Sequence, residues 1–131
     1  KIKNAVKICS DKKEGFMSKE YDVVIKSKGM GHGEDDEILL EKLMEGFIHT
    51  LAGRDNLPKH LIMYGSGVQL ACTGSDSIED LKVLEEKGVK VLSCGICLDH
   101  YELKDELKVG GTTTMAEVVD IITTSEKVVT P

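Results

Sequence analysis

The chain has 131 residues, 40% of them hydrophobic and 31% charged, which is enough for one compact domain and too little for two. Its formal charge of −6 argues against a nucleic-acid module, because phosphate binding needs a basic face. No apolar run approaches the roughly 18 residues needed to cross a bilayer, and no secretory leader is visible, so a cytoplasmic chain is expected.

The charge is unevenly spread. Residues 1–30 carry a net +4, whereas 31–131 carry −10. The first twenty residues lack a clean amphipathic period and contain the polar turn Asp11-Lys12-Lys13-Glu14-Gly15. They read as a linker or the tail of an upstream domain, with a solvated arm of this domain as the alternative.

Strand-like and helix-like segments alternate beyond residue 20. Tyr21–Ile25 is a β-branched run that ends at Lys28-Gly29, a first strand. From Asp36 to Gly53, Leu40, Leu43, Met44, Phe47, Ile48 and Leu51 recur at helical spacing, with Asp35 or Asp36 as N-cap. His60–Tyr64 reads as a buried second strand. Ser77 opens a helix that turns Ile78, Leu81 and Leu84 inward and halts at Gly88. Val89–Leu92 is a third strand running into Ser93-Cys94-Gly95-Ile96-Cys97. A short helix through Leu98, Tyr101 and Leu107 follows, and Gly110-Gly111 breaks it. Thr114-Met115-Ala116-Glu117 is a capping-box pattern whose helix buries Met115, Val118, Val119 and Ile122. Lys127–Val129 is a last, edge strand.

This alternation implies an α/β fold of parallel strands joined by right-handed crossovers, with helices on both faces of the sheet. Such sheets bind ligands beyond the carboxyl ends of their strands. Segments 29–36, 65–72 and 94–100 should meet there, and they hold six of the thirteen glycines. Such glycines either hold backbone close to a ligand or simply make tight turns.

Two of the four cysteines, Cys94 and Cys97, form a C-x-x-C at the end of the third strand. Free amides at a helix start favour a sulfur anion, and the thiolate is the nucleophile in sulfur chemistry. Asp99 and the acidic body work against ionisation. His100 lies three residues past Cys97, on the same helical face, and could move a proton; an ordinary surface histidine is the plainer reading. Gly65-Ser66-Gly67-Val68 could present backbone amides to a sulfur anion, or serve only as a turn. Cys72 reads as a small core residue and Cys9 as incidental.

Other chemistries fit less well. Gly29-Met30-Gly31-His32-Gly33 sits between a strand and a helix like a phosphate-binding turn, but the dinucleotide pattern needs a third glycine where Glu34 stands. Glu34-Asp35-Asp36-Glu37 would repel a phosphate, leaving His32 and Gly33 as pocket-lining candidates. Zinc needs about four ligands, and Cys94, Cys97 and His100 are three. No metal and no cofactor are therefore expected.

Residues 21–131 resemble the DsrE/DsrF-like sulfur-relay family, most closely the C-terminal domain of its YedF group. The resemblance rests on Met30-Gly31-His32-Gly33-Glu34-Asp35-Asp36-Glu37, Gly67-Val68-Gln69-Leu70-Ala71, Leu84-Glu85-Glu86-Lys87-Gly88-Val89 and Leu92-Ser93-Cys94-Gly95-Ile96-Cys97-Leu98-Asp99. It implies a flavodoxin-like three-layer α/β fold, DsrE-like, with a mostly parallel sheet. It also implies homo-oligomers, and a relay of sulfur between donor and acceptor proteins through a cysteine persulfide at the position of Cys94. An upstream TusA-like domain accompanies this group, which would make 1–20 its remnant and linker; selenium metabolism is a contextual link. The sequence departs from the group at Ser66 and Thr114, where asparagine is usual, so the resemblance leaves open the polar contacts of a pocket that would include Ser66 and Gly67. Two other functions remain open on the residues themselves: a thiol–disulfide oxidoreductase using the same pair, and a non-catalytic binding or assembly module with buried cysteines.

Overall fold

The computed structural model describes residues 21–31 and 36–131. The 1–20 segment with Cys9, and the pocket candidates His32 and Gly33, lie outside the described residues.

Five parallel strands form one sheet in the order β4-β3-β2-β1-β5: β1 (Asp22–Ile25), β2 (His60–Met63), β3 (Lys90–Cys94), β4 (Gly111–Thr113) and β5 (Val128–Val129). Four consecutive strands lie side by side, so their connections all step in one direction. Right-handed crossovers then put α1 (Glu37–Ala52), α2 (Ile78–Glu86) and α3 (Gly95–His100) on the same face. The β4–β5 connection crosses back over three strands, which sends α4 (Met115–Thr124) to the opposite face.

The core divides accordingly. Val23 and Ile25 of β1, Leu61 and Met63 of β2 and Val91 of β3 pack with Met44, Ile48, Leu81, Leu84 and Leu98. The alternate residues Val24, Ile62 and Leu92 face the other way and meet Val118, with Ile121 half-buried beside it. This is the period-two division of a strand covered on both faces, read in three registered strands at once.

Local chemistry sets the element ends. The Asp36 carboxylate accepts the Ile38 N–H at 2.8 Å and caps α1, which stops at Gly53. Thr114 caps α4 by accepting the Glu117 N–H at 3.2 Å. The reciprocal half of the capping box is diverted: the Glu117 carboxylate takes the Thr113 hydroxyl instead.

Three sequence expectations are corrected. The expected helix through Leu98, Tyr101 and Leu107 ends at His100, because Glu102 adopts a left-handed φ of 58°; a single 3₁₀ turn, Lys104–Glu106, follows. Gly110-Gly111 does not merely break a helix but opens β4. Gly110 has φ 75°, and a Cβ there would strike the Val91 carbonyl, so only glycine lets this edge strand close on β3. Finally, α4 buries Val118 alone of the four expected residues; Met115, Val119 and Ile122 stay exposed. One helix set across the middle strands covers a single stripe, and among the described residues no second helix lies beside it to bury the flanks.

Candidate functional site

The carboxyl end of β3 turns directly into α3. Cys94 is the last strand residue and, with φ −65° and ψ 124°, the extended N-cap of the helix; no side-chain cap bond is made there. Cys97 falls in the first turn. The C-x-x-C spacing across a strand-to-helix junction thus brings the two thiols near enough to interact electrostatically.

Their environments differ. Cys94 is buried, at 2% exposure, and is registered against Thr113 of β4. Cys97 is partly exposed, and its Sγ accepts the Gly65 N–H at 3.1 Å. Burial pushes the Cys97 thiol above its ordinary value; the Gly65 N–H pulls it back, and the neighbouring Cys94 adds to the rise. Between the two, Ile96 is 70% exposed, more than any other large apolar side chain among the described residues.

Gly65 opens the 3₁₀ helix Gly65–Ala71 that follows β2. Its φ is 60°, and a Cβ there would lie 2.7 Å from the Lys26 carbonyl oxygen, so the amide is held in place by packing against the end of β1. The sequence-level idea that Gly65–Val68 offers an amide to sulfur is met at Gly65 alone. Ser66 uses its hydroxyl to accept the Lys28 N–H at 3.0 Å, and the buried Gly67 donates its N–H to the Tyr64 carbonyl. Ser66 therefore ties this turn to the segment that follows β1, and Gly67 closes the turn on the end of β2. His100 is exposed, with its ring edge-on to Tyr101 at 5.1 Å.

Cys72 stands apart. It is buried, donates its thiol hydrogen to the Val68 carbonyl at 3.3 Å, and is pushed above its ordinary value by burial and the Glu106 carboxylate. A hollow of about 390 Å³ is lined by Lys28, Glu41, Gln69, Cys72, Ser77 and Tyr101 among others; neither Cys94 nor Cys97 lines it. Among the described residues, no group of three or more His, Cys, Asp or Glu is placed to hold a metal ion. No described helix is long and apolar enough to cross a membrane.

Two constellations escaped the sequence reading. Thr113, hydrogen-bonded to Glu117, lies opposite Cys94 because β4 pairs with β3; a three-residue strand containing a glycine carries no period that could have signalled it. At the amino edge, the buried Asp22 carboxylate accepts the His60 N–H at 3.0 Å and meets His60 Nδ1 at 2.7 Å. That pair joins β1 to β2 across 38 residues of sequence, beyond the reach of any local pattern.

Residues 50–131 match the model of the DsrE/DsrF-like family. Among solved structures, a protein of unknown function from Methanobacterium thermoautotrophicum superposes with a TM-score of 0.61 at 18% identity, covering 86% of this chain and 99% of its own. The ychN protein from E. coli gives a TM-score of 0.58, also at 18% identity, with the same coverage of 86% and 99%. A conserved protein of unknown function from Bacteroides thetaiotaomicron gives 0.58 at 10% identity, with 86% and 95% covered. These likenesses share the fold. No curated protein gives a significant match.

Proposed function

Because the chain belongs to the DsrE/DsrF-like family, whose members work in sulfur relay with partner proteins, we propose that it carries sulfane sulfur as a persulfide on the Cys94/Cys97 pair. The observation that supports this reading is the meeting of the two thiols at the carboxyl end of β3, with the Gly65 amide donating to one of them. A thiolate that receives sulfur needs a donor to steady its charge, and a fixed backbone N–H supplies one without a counter-ion.

Donor and acceptor are proteins, and a TusA-like domain is the donor or acceptor class that the family resemblance implies. Release follows from the same pair. The Cys97 thiolate attacks the Cys94 sulfur of a Cys94 persulfide, the terminal sulfur leaves as hydrosulfide, and a Cys94–Cys97 disulfide remains for a cellular thiol to reduce. Self-association belongs to the proposal, supported by the apolar residues left exposed on α4.

The test is intact mass after incubation with a sulfane-sulfur donor. The wild type should gain the mass of one sulfur atom, and a double variant, Cys94→Ser with Cys97→Ser, should gain none. Equal loading of the double variant, through Cys72 or Cys9, removes the proposal. A pair that cycles between dithiol and disulfide with no persulfide accumulating would make the protein a thiol–disulfide oxidoreductase instead.

A further inference from the structure

We infer that Cys97 is the thiol that receives sulfur from the donor and that it passes this sulfur inward to Cys94, where it is stored. The inference rests on the relay reading above and adds the order of the two sulfurs.

Three observations carry it. Cys94 is closed to solvent, whereas Cys97 is partly open. A donor persulfide cannot approach Cys94 in line without the chain moving, while Cys97 offers its sulfur beside the exposed Ile96. The Gly65 N–H points at Cys97 Sγ, so the fixed donor acts on the sulfur that must carry charge both when it attacks and when it leaves. The Cys94 side chain makes no capping bond with the α3 amides and lies one helical turn before Cys97, near enough for the two thiols to interact electrostatically.

The steps balance without an added oxidant or reductant. The Cys97 thiolate attacks the outer sulfur of a donor persulfide, the donor's S–S bond breaks, and the donor thiolate leaves with the electron pair and takes up the proton that Cys97 gave up. Cys94 then attacks the outer sulfur of the Cys97 persulfide. That S–S bond breaks in turn, and the proton of Cys94 passes to the departing Cys97 sulfur. One sulfur atom has moved twice, and the oxidation state of the pair is unchanged. The buried persulfide is kept from water and stray thiols until Cys97 attacks Cys94 and releases the sulfur.

The experiment follows loading by intact mass over time, with cysteine persulfide as the probe, on the wild type, Cys97→Ser and Cys94→Ser. Cys97→Ser should load at least tenfold more slowly than the wild type. Cys94→Ser should still gain one sulfur, held on Cys97, and should then lose it faster than the wild type when a small thiol is added. Cys97→Ser loading at the wild-type rate overturns the order and leaves the relay standing; a wild type that never loads removes the relay itself. Limiting iodoacetamide on the unmodified wild type is read by peptide mass and needs no variant. Cys97 should be labelled before Cys94, and the reverse order overturns the inference.

Discussion

On one face of the sheet, Met44 and Ile48 of α1, Leu81 and Leu84 of α2 and Leu98 of α3 are all closed to solvent. On the other, α4 contributes Val118 and the half-buried Ile121, while Met115, Val119 and Ile122 face outward at 50%, 45% and 38% exposure. The difference comes from strand order rather than from composition. Three successive crossovers in one direction stack their helices on one face, and only the return crossover supplies the other. Equal hydrophobic stripes in the sequence can therefore have unequal burial, depending on how many neighbours the topology gives each helix.

Truncations to alanine on each of the two faces test this asymmetry. Leu81→Ala on the crowded face should cost about 2–5 kcal/mol of unfolding free energy, because fixed neighbours cannot close the cavity. Val118→Ala on the thin face should cost about 2 kcal/mol, at roughly 0.8 kcal/mol per methyl-sized group. Urea titration of both variants measures the pair, and equal losses per carbon removed would mean that the faces are equally packed.

A smaller effect belongs to Cys72, on the crowded face. Its folded-state pKa is raised, so the stability it contributes is complete below the ordinary thiol range and is lost as pH rises through the raised value. The thermal midpoint of the wild type should fall at alkaline pH more steeply than that of Cys72→Ala. Parallel curves would show that Cys72 does not titrate in the folded state.

The smallest change in folding is expected at the exposed stripe. Val119→Glu should alter the unfolding free energy of the monomer by no more than about 0.5 kcal/mol. It should nevertheless shift sedimentation toward a smaller species if α4 joins copies of the chain, as proposed. Unchanged sedimentation would take this face out of any self-association.

Much of the fold is legible in the residues. Val23–Ile25, Leu61–Met63 and Val91–Leu92 are short apolar runs, and α1 combines a clear period with Asp36 and Gly53 at its ends. β4 is not legible, since Gly111–Thr113 owes its extension to pairing with β3 and to Gly110 rather than to its own side chains. The extent of burial of α4 is not legible either, because a capping box and an apolar stripe specify a helix but not its neighbours. At the site, the C-x-x-C announces that two thiols meet. Which of them faces solvent, and that Gly65 reaches Cys97 from 32 residues away, depends on how the turn after β2 packs on β1.

That last contact constrains how the molecule can vary. Any side chain at position 65 would collide with the Lys26 carbonyl, and relieving the collision would draw the amide away from Cys97. Sheet integrity and the proposed sulfur chemistry are thus joined at one backbone position. A substitution there cannot trade some stability for altered reactivity, or the reverse, because both are lost in the same displacement.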